Sequence, residues 1–108
     1  MNLYLISQTQ NQTYDTYDSA VVAAESEEHA RAIHPSGSDK IRANMKKDVW
    51  EEYTCDYYNP RNLKQAWRPM NRCCDGWTSK PSKVSVTLIG AAVEGTSAGV
   101  ICASFNAG

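Results

Sequence analysis

A chain of 108 residues is one domain long and can bury only a modest core. Hydrophobic residues at 42% and charged residues at 21% exclude disorder from end to end. A formal net charge of -1 excludes a protein that coats nucleic acid by bulk attraction. Charge is nevertheless uneven: residues 1–37 set one cation, Arg31, against five carboxylates, whereas residues 38–72 set eight cations against five carboxylates. An acidic scaffold therefore carries a basic segment, suited to an anionic ligand or to pairing between subunits.

No stretch approaches the roughly 20 apolar residues of a membrane span, and MNLYLISQTQ has neither the basic start nor the apolar run of a secretion signal. The expectation is a cytosolic protein whose cysteines, Cys55, Cys73, Cys74 and Cys102, stay reduced. Together with His29 and His34 these thiols match no familiar zinc spacing, so no metal or cofactor is expected.

Leu3 to Ile6 and Ala20 to Ala24 are short apolar runs joined by the polar, turn-rich link TQNQTYDTYD, which predicts an antiparallel hairpin. Ser26 then caps a short helix, with Glu27 and Glu28 at its positive end. Ala30 and Ile33 are assigned to the sheet-facing side and Arg31 to solvent. His34, Pro35 and Gly37 stop the helix. From Ser38 the recurrence of Ile41, Met45, Val49 and Tyr53, with Trp50 beside them, predicts a second helix. Asn59 as cap and Pro60 in the first turn predict a third, ended by Pro69. That helix would set Leu63, Ala66 and Trp67 on one face and Arg61, Lys64 and Arg68 on another.

The run KVSVTLI, residues 83–89, alternates Val84, Val86 and Leu88 with polar residues and predicts a strand with those three buried. GAAVEGTSAG is a glycine-rich connection, and Val100 to Phe105 is the final strand. The expected fold is α+β: one domain, 1–108, ordered β-β-α-insert-β-β, in which a small, mostly antiparallel sheet packs against one to three short helices. Residues 38–76 form its helical, basic and aromatic insert.

Three constellations carry candidate chemistry. Arg61, Lys64, Arg68 and Arg72 accompany Trp50, Trp67, Trp77, Tyr53, Tyr57 and Tyr58. Arginine forks match phosphate oxygens and rings stack on bases, which suits a nucleotide or single-stranded nucleic acid; the plainer reading is a solvated helix face over core tryptophans. Tyr14, Asp15, Tyr17 and Asp18 at the hairpin either contact a partner or only shape the turn. His34 before Pro35 is tied by no motif to a serine, cysteine or carboxylate, so it reads as a helix-end residue, and no catalytic residue is assigned.

The blocks YDTYDSAVVAAESEEHARAIHPSG and KVSVTLIG with GVICASFNAG resemble a set of small phage and prophage proteins over residues 3–37 and 77–108. More distantly, the arrangement is similar to the Thoeris anti-defence sponges, which sequester cyclic ADP-ribose messengers. The resemblance implies a phage-encoded protein acting in the cytoplasm of an infected bacterium; an enzyme is not expected, because acid-base or nucleophilic chemistry needs at least two positioned groups and the sequence advertises none. Its ligand would be a small phosphorylated molecule held by Arg61, Lys64, Arg68 and Arg72, with Trp67, Trp77 and Tyr58 as stacking rings. A chain this small would build a nucleotide pocket between subunits, as a dimer or larger homo-oligomer. The competing expectation is a protein inhibitor of a bacterial defence complex, similar in logic to an anti-CRISPR protein, in which the same insert contacts a host protein.

Overall fold

Strand β1 (Asn2–Ser7) and strand β2 (Thr16–Ala24) form the expected hairpin, paired antiparallel from Asn2 opposite Ala24 to Ser7 opposite Ser19. The computed structural model of the chain describes residues 1–10, 12, 15–54, 66–70 and 76–106. Over these it is α+β and rich in antiparallel strands, with a short α-helix and a 3₁₀ turn. Helix α1 (Glu27–Arg31) begins where the sequence places it, because the Ser26 hydroxyl accepts the His29 amide at 3.1 Å. Arg31 departs from expectation. Its long side chain lies along the protein, only 19% exposed, with Nε donating to the Val84 carbonyl at 3.3 Å and the fork held by Glu27 and Glu28.

After β1, β2 and α1 the chain forms a second sheet. Strands β3 (Ile41–Asn44), β4 (Val49–Thr54) and β5 (Ala66–Pro69) lie side by side in that order, all antiparallel. The helix expected over Ser38 to Tyr53 is thus a β-hairpin. A spacing of four is two full strand repeats as well as about one helical turn, so the apolar recurrence fits both. The turn settles the matter: the Asn44 side chain accepts the Lys47 amide at 3.1 Å, and Asp48 adopts a left-handed φ of 53°. The Asp48 carboxylate then receives the Ser82 amide at 2.8 Å and the Ser82 hydroxyl at 2.5 Å, stapling the hairpin tip to a 3₁₀ turn (Pro81–Lys83). Ala66, Trp67 and Arg68 likewise lie in a strand rather than a helix. The rest of the third expected helix lies outside the described residues.

Strands β6 (Ser85–Ala91) and β7 (Gly99–Asn106) complete the larger sheet, ordered β6-β1-β2-β7. Alternation directs Tyr4, Ile6, Ala20, Val22 and Ala24 to one face, where Ala30, Trp50, Trp77 and Val84 close the core. Val84 is buried and Val86 partly so, but Leu88 is 60% exposed: β6 outruns the elements that cover it.

The two sheets meet through rings. Trp50 of β4 is 1% exposed, donates Nε1 to the Thr78 carbonyl at 3.0 Å and meets the His34 ring edge-on at 5.2 Å. His34 in turn meets Tyr17, and Tyr17 meets Phe105 at 4.8 Å. Nearby, Trp77 Nε1 and the Thr78 hydroxyl are buried with no hydrogen-bond partner among the described residues. Among the described residues no helix is long and apolar enough to cross a membrane.

Two substitutions test this frame. Trp50→Ala should cost about 3–5 kcal/mol in urea unfolding, the range for a fully buried large ring, and a loss below about 1 kcal/mol would show that the indole is not structural. Gly76 has a φ of 78°, and a Cβ there would stand 2.5 Å from the Asp15 carbonyl oxygen and 3.1 Å from the Thr16 Cα. Gly76→Ala should therefore destabilise by about 1–3 kcal/mol or more, whereas an unchanged melting temperature would contradict the close approach.

Candidate functional site

The alternation that sends Trp50 into the core sends its neighbour Glu51 to the opposite face of the small sheet. Register then decides the company: Arg42 of β3 stands opposite Glu51, and Trp67 of β5 stands opposite Tyr53. Arg42 Nε donates to Glu51 Oε1 at 2.8 Å, and its guanidinium carbon lies 4.3 Å from the centroid of the Trp67 ring. The Tyr53 ring tilts against Trp67 at 5.2 Å, and Asn44 Nδ2 reaches Glu51 Oε2 at 3.4 Å. Arginine, carboxylate and two rings thus form one ordered patch.

Charge is distributed unequally over this patch. Glu51 is 6% exposed. The hydrogen bond from Arg42 holds its carboxyl below the usual range, helped by Asn44 and by the charges of Arg42 and Lys47, while burial opposes them. The Arg42 side chain is 51% exposed, and its two terminal nitrogens have no protein partner among the described residues. A guanidinium fixed along one edge by a carboxylate and supported beneath by an indole keeps its outer fork flat and ready. It matches the oxygens of a phosphate or carboxylate at little further ordering cost.

Of the residues the sequence singles out, Trp67 is in this patch. Arg68 is adjacent on β5 but belongs to the other face, in register with Glu52; it is exposed and free of ion pairs among the described residues. Trp77 is a core residue, 1% exposed. Arg61, Lys64, Arg72, Tyr57 and Tyr58, together with Tyr14, lie outside the described residues. At the hairpin, Asp15 takes a left-handed φ of 59° and donates its amide to the Asn106 carbonyl at 2.6 Å. His34 Nδ1 accepts the Ser36 amide at 3.1 Å and lies 2.8 Å from the Ser36 hydroxyl, which fixes the ring at the end of the helix.

A cleft of about 210 Å³ runs between Ile33, His34, Ser38, Ile41 and Val100. It is smaller than the roughly 300 Å³ at which ligand pockets begin, and no charged side chain lines it. Among the described residues no cluster of three or more His, Cys, Asp or Glu side chains could hold a metal.

Arg42 and Glu51 were missed as site residues because the segment was assigned to a helix. The signal was present: Ile41, Arg42, Ala43 and Asn44 alternate, VWEEYT has strand composition, and the polar MKKD between them is a turn. The chain matches no protein-family model, and neither curated proteins nor solved structures yield a match.

The depressed pKa of Glu51 sets a pH dependence. Because its folded value lies below the unfolded one, its stabilising contribution is complete above the unfolded value, about 4.3, and drains away as pH falls through the folded value. Glu51→Gln should flatten the loss of stability measured by urea unfolding as pH falls below about 5. Parallel profiles for variant and wild type would contradict the pairing with Arg42.

Proposed function

We propose that the protein is a non-enzymatic binding module that sequesters a small phosphorylated ligand of the cyclic nucleotide or cyclic ADP-ribose class, made by a phage to blunt bacterial immunity. The phage origin rests on the resemblance of the terminal blocks. The chemistry rests on one observation: Arg42 is held flat between Glu51 and Trp67 with its outer fork open to solvent. A phosphate bridging that fork gains charge-assisted, bidentate hydrogen bonds, and the neighbouring rings offer apolar surface to a base or ribose. The sequence offers further cations and a ring for such an anion in Arg61, Lys64, Arg72 and Tyr58, whereas Arg68 belongs to the other face of the small sheet.

Calorimetry with cyclic nucleotides and cyclic ADP-ribose isomers tests this directly, alongside intact mass of protein freshly purified from cells. Arg42→Lys keeps the charge and removes the fork, so affinity should fall about tenfold or more, equivalent to at least about 1.4 kcal/mol, with the fold retained by circular dichroism. No heat with any of these messengers, or equal affinity in the variant, would overturn the reading. Recovery of a bacterial protein in a pull-down, with no nucleotide in the mass spectrum, would favour the inhibitor instead.

A further inference from the structure

The larger sheet ends at β7, which bonds to β2 on one side and to no described strand on the other. Exposure along this strand is unlike that of a finished surface. From Ile101 to Asn106 every residue is exposed, with Ile101 at 53% and Phe105 at 49%, and Cys102 and Ala103 open between them. Gly99–Asn106 contains no charged residue and no proline, the usual devices by which a sheet edge is kept from pairing. The register against β2 shifts twice, once at Ile101 and once where the extra residue Asp18 of β2 falls opposite Ser104 and Phe105; the second extra residue belongs to β2, so from Cys102 to Asn106 β7 itself carries no inserted residue.

We propose that the free edge of β7 is the contact between two copies of this chain, paired antiparallel about a two-fold axis so that the two larger sheets become one of eight strands. Three features point to a second copy rather than to a different partner. An antiparallel strand pair is complementary to itself, since the outward amides of alternate residues donate to the outward carbonyls of the copy, whose own amides donate in return. A two-fold axis also brings like residues near like, and β7 is free of the charges that such a meeting would punish. A partner chosen by charge would find nothing on this edge to read. The length is sufficient as well: eight residues at about 3.4 Å each give an edge of about 27 Å.

The opposite edge, β6, exposes Leu88 at 60% and Ile89 at 51% and is likewise uncharged. It is shorter, and the register shift opposite Leu3 and Tyr4 interrupts its pairing near Ile89. Pairing of β6 with β7 would be head to tail and would not close, giving open assemblies rather than a dimer. This inference is independent of the ligand proposed above, so either can fail alone.

Light scattering after size exclusion tests it. The full chain should elute with twice its 12.0 kDa mass. Ile101→Lys combined with Ala103→Lys places lysines against lysines across the axis and should halve that mass with the far-ultraviolet circular dichroism unchanged. If that pair fails to fold, Phe105→Lys alone should have the same effect. Leu88→Lys, on the other edge, should remain dimeric. A monomeric wild type, a dimer that survives the folded β7 variants, or dissociation by Leu88→Lys instead would each overturn the proposal.

Discussion

One indole holds the architecture together. Burying a tryptophan removes about 150–250 Å² from water, a gross gain of about 4–6 kcal/mol before chain entropy. Trp50 adds to this a hydrogen bond from Nε1 to the Thr78 carbonyl and an edge contact with His34. Three short strands have little stability alone; planted on the larger sheet through Trp50, they become part of the same core. The Asp48 contacts with Ser82 hold the planted sheet from a further direction, while the Met70 amide, donating to the Trp50 carbonyl, extends the β4–β5 ladder.

The candidate site follows from that anchor through the period of a strand. If Trp50 faces the core, Glu51 must take the opposite face, and a slip of one residue in β4 would exchange them, putting a carboxylate in the apolar core and an indole in its place. The core thereby fixes which way the Arg42 platform points. Glu51 in turn orders Arg42 along one edge, and Trp67 supports it from below, so the open fork is a product of packing decided on the other side of the sheet. The exposed edge at β7 belongs to the larger sheet and makes no use of this patch. The molecule thus separates a charged, ring-lined face from an apolar, uncharged edge.

Local chemistry was legible where one residue's bonding determines the outcome. Ser26 as a cap, the hairpin of β1 and β2, and the final strand could all be read, because a hydroxyl beside orphan amides or a strict alternation has few competing solutions. The segment from Ile41 to Tyr53 was not, since its spacing of four suits two periods and the tie of Asp48 to Ser82 spans 34 residues. Alternation also tells which side chains share a face without telling whether that face is covered. Leu88 therefore reads as core and stands 60% exposed. Tryptophan content carries the same ambiguity: Trp50 and Trp77 are buried, whereas Trp67 lies beneath an arginine at the surface. Arg68 was grouped with Arg61 and Lys64 by helical spacing, and in a strand that grouping no longer follows.

Native-state hydrogen exchange of the Trp50 indole proton, followed together with the amides of β1–β2 and of β3–β4, tests the anchoring role most directly. The indole proton and both sets of amides should exchange with a common opening free energy equal to that of global unfolding. Exchange of the indole and of the β3–β4 amides at a distinctly lower free energy, with β1–β2 still protected, would mean that the small sheet opens by itself and that Trp50 does not join the two.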